Sequence, residues 1–271
     1  MKAFGFLSFG HYADVPGSST RTAGDMLRQT IEIAEGADEI GVNGAYVRVH
    51  HWARQAASPM PLLSAMAART KRIEVGTGVI DMRYENPFQF AEEAAALDYI
   101  ADGRIALGVS RGSPETALRG YETFGYVDGE DPERGSILAR EKFDLFRAAY
   151  KEAGHTGRPR VSVSRSVFPL ISDQDRAYFG LRSEENGDQI GVIDGFRSTF
   201  GKTYAAEPDV LISQLKQDEA VMAADTLMLT IPNQLGPEYN LHVLQAFAEH
   251  VAPALGWKPN TEGPVQGDPV D

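Results

Sequence analysis

Imidazole is the side chain best suited to moving protons near neutral pH. This chain sets two side by side, His50 and His51, at the end of an apolar run. Neighbouring residues of a strand point to opposite faces, so at most one of the pair faces the interior of the fold. The competing reading is two satisfied polar residues at a strand end. A metal pair is disfavoured, because His-x-His spacing is what turns two imidazoles to one side. The other histidines, His11, His155, His242 and His250, do not cluster in sequence. A second feature is Gly76 and Gly78 inside the run Ile73–Ile80. Glycine weakens a strand, so the pair marks a bulge, tight packing beneath a helix, or bare backbone against which a flat ligand lies. The third feature is Ser110-Arg111-Gly112-Ser113-Pro114, which joins a strand to a helix start. Main-chain N–H groups there attract an anion, and Arg111 can pair with phosphate or carboxylate. A plain N-cap beside a surface arginine competes with that reading. Asp81, Arg83 and Tyr84 follow the glycine-bearing strand and Asn233-Gln234 follow the last one, so all could line one mouth.

These groups serve one site only if the fold brings strand ends together. Arg72 to Ser113 reads as strand, helix, strand, with Asn86 as a cap and Pro87 at the first helical position. Its helix shows Phe90, Ala94, Leu97 and Ile100 on one face, and Ile105–Val109 is the second strand. Upstream, Phe4–Phe9 reads as strand 1 and Gly10 to Arg21 as a loop. Thr22 with Asp25 resembles a capping box for a helix with Leu27, Ile31 and Ala34 on its apolar face. Ala45–Val49 is strand 2, and Ser58-Pro59 starts a helix that stops at Lys71-Arg72. Four strands recurring every 30 to 40 residues or so, each followed by a helix, give the rhythm of a TIM (β/α)8 barrel. A doubly wound sheet competes less well, since no G-x-G-x-x-G turn follows strand 1.

After strand 4 the rhythm fails. Glu122 to Gly135 is a polar loop and Ser136 to Ala153 a helix. Arg160–Val167 and Asp225–Ile231 are the remaining strands, followed by a helix Asn240 to Val251. About six strands are legible where the barrel needs eight, so it is expected to be incomplete after strand 4. One domain spans 1–257, and 258–271 reads as a flexible tail.

Composition narrows the function. With 271 residues, 42% hydrophobic and 24% charged, the chain is an ordinary globular one. A net charge of −12 offers no basic field for nucleic acid or an anionic membrane. The absence of cysteine excludes disulfides, thiolate metal sites and a cysteine nucleophile. The N-terminus reads as a strand rather than a signal peptide, and no apolar run approaches the roughly 18 residues of a membrane span. A cytoplasmic enzyme is the expectation.

The motifs V-R-V-H-H-W, S-P-M-P-L-L-S-A-M-A-A-R-T, I-E-V-G-T-G-V-I, Y-E-N-P-F-Q-F-A-E-E-A-A-A-L-D, D-G-R-I-A-L-G-V-S-R-G-S-P-E and T-L-M-L-T-I-P-N-Q-L-G together carry a resemblance. Over nearly its whole length the chain resembles the luciferase-like flavin-dependent oxidoreductases and monooxygenases. The resemblance implies a TIM barrel that binds FMN, or coenzyme F420, at the carboxyl ends of its strands. It implies that His50, with His51 beside it, lies by the flavin and does acid–base work, and that Gly76, Gly78 and Val79 back the ring. In that family the peptide matching Gly78–Val79 is a non-proline cis bond. Ser110, Arg111, Gly112 and Ser113 would line the cofactor cleft. A small organic substrate, a separate flavin reductase and a homodimer through helices 2 and 3 are the implied partners. Two departures stand out. Val49 replaces the glutamate of the family's E-H-H motif, and two further βα units expected between strand 4 and Arg160, one with a phosphate-gripping strand end, are not legible. The join falls near Lys142 to Ala149, through a natural deletion, a missing stretch or unread strands.

Overall fold

The computed structural model describes residues 3–82, 84–110, 152, 154, 162–182, 189–193, 196–200 and 203–263, with backbone alone at 110, 181–182, 189–193 and 196–200. The first half alternates as the apolar periodicity predicts. It runs β1 (Ala3–Ser8), α1 (Ala23–Ile40), β2 (Gly44–Arg48), α2 (Pro59–Arg69), β3 (Glu74–Asp81), α3 (Pro87–Ala101) and β4 (Ile105–Ser110). Local chemistry sets the boundaries. Thr22 and Asp25 form both halves of a capping box, and α1 ends on Gly41 in the left-handed region at φ 89°. Asn86 accepts from the N–H groups of Phe88 and Gln89 to start α3. Ser58 precedes Pro59 as expected but makes no side-chain cap bond.

The second half departs from the sequence expectation. Parallel strand β5 (Ser162–Pro169) is followed by α4 (Asp173–Phe179). Between the two late strands read from the sequence, the chain then holds β6 (Leu181–Arg182), β7 (Gln189–Ile193), β8 (Phe196–Phe200) and β9 (Thr203–Ala206). Helices α5 (Pro208–Gln217) and α6 (Glu219–Ala223), strand β10 (Thr226–Ile231) and helix α7 (Gly236–His250) complete the chain. Strands β6, β7 and β8 form a small antiparallel sheet of their own.

The main sheet has the order β4-β3-β2-β1-β10-β5-β9, and every pairing in it is parallel. β10 returns to β1 in register, Ala3 opposite Thr226, as the last strand of a barrel returns to the first. β9 pairs on the outer side of β5. Among the described residues β4 and β9 are therefore edges and the barrel is not closed. The expected helix at 136–153 and the join near Lys142 lie outside the described residues, apart from position 152.

The main core lies between sheet and helices. Phe4 packs edge-on against Phe247 of α7 and Trp257, with ring centroids 5.0 and 4.8 Å apart. Two apolar faces differ from those predicted. α1 buries Met26, Thr30, Ile33, Ala34 and Ala37 while Leu27 stays 40% exposed, and α3 buries Phe90, Leu97 and Ala101 while Ile100 stays half exposed. At the amino-terminal end of the strands, Asp38 accepts from the backbone N–H groups of Lys71, Arg72 and Ile73 at 2.7–2.9 Å. Nearby, the buried Arg104 guanidinium caps the end of α2, donating to the carbonyls of Ala67, Thr70 and Ile73. These bonds lock the closed end of the sheet and leave the carboxyl end to carry chemistry. Residues 258–263, expected to begin a loose tail, are tied down: Asn260 donates to Gly41 O at 2.8 Å and to Arg72 O.

Candidate functional site

The carboxyl end is built from three consecutive strand ends. β2 stops at Arg48, so His50 and His51 lie beyond it in an irregular turn. The alternation rule predicted opposite faces for them, but it applies only inside a strand. Both imidazoles feel the charge of Asp81, the buried last residue of β3. Val49, by contrast, is buried in the hydrophobic core. The position where the family motif has glutamate therefore faces apolar packing here, and the polar surroundings of His50 come from residues 48 and 81.

Arg48 donates through Nε to Nε2 of His50 at 3.2 Å, and its guanidinium carbon stands 5.7 Å from the centroid of the Phe9 ring. Phe9 stacks on His11, centroids 5.6 Å apart and planes 13° from parallel. The side-chain amide of Gln55 stands 2.6 Å from His11 Nε2. His11 thus joins the site, close enough for its charge state and that of His50 to influence each other. Sequence reasoning placed His11 in a loop and saw no clustering; only the parallel pairing of β1 with β2 brings the two together. Burial and then His50 lower the His11 pKa. Burial and then Arg48 lower that of His50, against an opposing pull from Asp81. His51 is lowered by burial, with Asp81 opposing and His50 adding. All three imidazoles are consequently held toward the neutral form at neutral pH.

On the other flank His51, Trp52 and Tyr84 form an aromatic group, with His51 and Tyr84 centroids 4.7 Å apart and Trp52 and Tyr84 5.2 Å apart. Trp52 sits at φ 52°, uncommon for a bulky residue, and is 41% exposed. The loop bearing His11 is pinned from β10. Asn233 accepts from Ser8 Oγ and Gly10 N, and its carbonyl accepts from Thr20 Oγ1 at 2.6 Å. Asn233 was expected to line the mouth; its side chain instead holds the loop.

The glycine strand needs correction. No cis peptide occurs among the described residues, so Gly78–Val79 is trans. The register of β3 slips between Thr77 and Ile80, which makes the region a bulge. A Cβ on Gly76 would collide with the carbonyl of Ala106, and one on Gly78 with the Leu7 side chain. The space beside both glycines is filled by neighbouring strands rather than left bare for a ring. The bulge still lies beside the histidines, since Val49 N donates to Val79 O at 3.2 Å and His50 is the next residue. Ser110 ends β4 opposite Asp81, while Arg83, Arg111, Gly112 and Ser113 lie outside the described residues. Among the described residues no group of three or more His, Asp or Glu is placed to hold a metal ion.

The profile of the luciferase-like monooxygenase family matches residues 1–158, the part that builds this site. The chain belongs to that family. An uncharacterized Bacillus subtilis protein, YwcH, is 30% identical over 172 residues, 62% of this chain and 51% of its own length. The F420-dependent glucose-6-phosphate dehydrogenase of Nocardia farcinica is 34% identical over 204 residues, 71% of this chain and 59% of its own. The chain thus spans about half the length of the curated relatives it matches. Among solved structures, the oxygenating constituent of 3,6-diketocamphane monooxygenase from Pseudomonas putida, in complex with FMN, superposes with a TM-score of 0.63. It is 15% identical and covers 94% of this chain and 98% of that one. That likeness establishes a shared TIM-barrel-type fold.

The donor set suits a flat heteroaromatic ring of the kind this family uses. Imidazole, indole and phenol rings stand close together at the strand ends, with a guanidinium to meet electron-rich atoms. Arg111 to Ser113, expected to line the cofactor cleft, lie outside the described residues.

Proposed function

We propose that this protein is a flavin-dependent oxidoreductase that works on a small organic substrate with reduced FMN and dioxygen. What carries the reading is the meeting of His11, His50 and Asp81 at the carboxyl ends of three adjacent strands in a member of this family. The reduced cofactor, when bound, supplies the electrons and the oxygen chemistry. The chain's own residues would orient it: His50 would meet the ring, Trp52 and His51 would wall the cleft, and Ser110 to Ser113 would line it. Membership in a family with F420-dependent relatives supports F420 as the second cofactor candidate. A non-catalytic flavin-binding role is the alternative, motivated by the open sheet among the described residues. A separate flavin reductase and a homodimer belong to the same proposal. Titration of FMN and of F420 decides the cofactor, and NADH-linked turnover with an added reductase separates enzyme from binding protein. His50→Ala is expected to lower turnover at least ten-fold at saturating flavin. Unchanged turnover would remove His50 from the chemistry.

A further inference from the structure

The hydrogen bond from Arg48 to His50 fixes more than position. Arginine has no acceptor and keeps its protons at any ordinary pH, so a nitrogen that accepts from its Nε carries no proton. Nε2 of His50 accepts from Arg48 Nε at 3.2 Å, and the neutral ring must then carry its proton on Nδ1. The donor is itself held: the guanidinium lies over Phe9, whose backbone carbonyl accepts from Ala56 N. His50 is held too, its N–H donating to Ala56 O at 2.9 Å. Both ends of the contact therefore rest on one loop crossing, between the end of β1 and the start of α2. The family's glutamate at position 49 cannot play this part here, because Val49 is turned into the apolar core.

We infer that Arg48 is a positioning residue that locks His50 as a neutral, Nδ1-protonated imidazole. In the flavin reading His50 then meets the bound ring or substrate as a neutral imidazole of fixed tautomer and not as an imidazolium acid. A second proton on Nε2 would break the bond to Arg48 and set two cations face to face. The charged and titratable groups around His50 fit this assignment. Among the described residues His11 from the end of β1, Arg48 on β2 and the adjacent His51 disfavour a proton there, and Asp81 at the end of β3 favours one. The catalytic consequence rests on the flavin reading above; the protonation state does not.

The test is nitrogen-15 spectroscopy of the imidazoles in the full chain, with the His50 signals identified by their loss in His50→Gln. At pH 7.5 Nδ1 is expected to be protonated and Nε2 not. In Arg48→Met the lock goes: Nε2-protonated ring appears and the His50 pKa rises. Arg48→Lys keeps a cation with donors and no acceptor, so it keeps both the low pKa and the Nδ1-protonated ring. Arg48→Gln brings an amide oxygen that can accept from a protonated Nε2, so it loses the single tautomer, and it also covers the case in which Arg48→Met fails to fold. A wild-type His50 protonated at Nε2, or a tautomer unmoved by Arg48→Gln, overturns the inference. Where flavin turnover is present, its acid limb should move up with the His50 pKa in Arg48→Met and stay in place in Arg48→Lys. FMN and F420 titrations of the same samples keep the two ideas apart. Nδ1 protonation without binding of either cofactor supports the lock and removes the flavin reading, whereas binding with Nε2 protonated does the reverse.

Discussion

His11, His50 and His51 all have pKa values pushed below 6.5 by burial first of all. The sign of the effect on stability follows. As pH falls through 6.5 the unfolded chain takes up protons that the folded chain resists, so the unfolded state binds more and stability drops with acid. Melting temperature should therefore fall between pH 7 and about pH 5, and His11→Gln should flatten that slope. An unchanged slope would mean that His11 is not buried against His50 as described. Only part of this cluster was legible in the sequence. His50 and His51 announce themselves as a pair, but His11 lies 39 positions away and joins them only through strand pairing. The glycines misled for a related reason. Sequence shows that Gly76 and Gly78 need space on one side, but not whether a ligand or a neighbouring strand occupies it.

At the scale of elements, the helix starts were legible because caps are local. Thr22 with Asp25, and Asn86 on its own, satisfy backbone N–H groups within three residues of themselves, and Pro87 needs no partner for a missing N–H. The strands β6 to β9 were missed because they are short and run through a polar stretch with little apolar alternation. Ile100 was assigned to the buried face of α3 by spacing, whereas Ala101 is the residue that packs. Two predictions belong here. Asp38→Ala strands three backbone donors at the closed end of the sheet and should cost about 3 kcal/mol in urea unfolding, with cofactor affinity unchanged. Asn233→Ala releases the loop that carries His11. Hydrogen exchange across residues 10–20 should accelerate there while the α2 amides stay protected. Uniform acceleration across both would show that Asn233 supports the whole fold rather than the loop.

At the scale of the molecule, the parallel sheet places its structural polar bonds at one end and its titratable cluster at the other. No helix among the described residues is long and apolar enough to cross a membrane. The outer face of α3 carries Phe88, Tyr99 and Ile100 at 76, 90 and 50% exposure, and the proposed homodimer would cover it there. Tyr99→Glu combined with Ile100→Asp should shift a dimer to monomers in sedimentation, and an unmoved species would place the interface elsewhere. Barrel rhythm was legible through β4 because each βα unit there repeats. Beyond it the order β10-β5-β9 depends on long-range pairing that no local pattern encodes. The measurement that bears most directly on the whole account is equilibrium titration of the purified chain with FMN and with F420, followed by flavin fluorescence. Saturable binding of one cofactor, weakened in His50→Ala, is the predicted result. Failure of both to bind, or binding indifferent to His50, would contradict it.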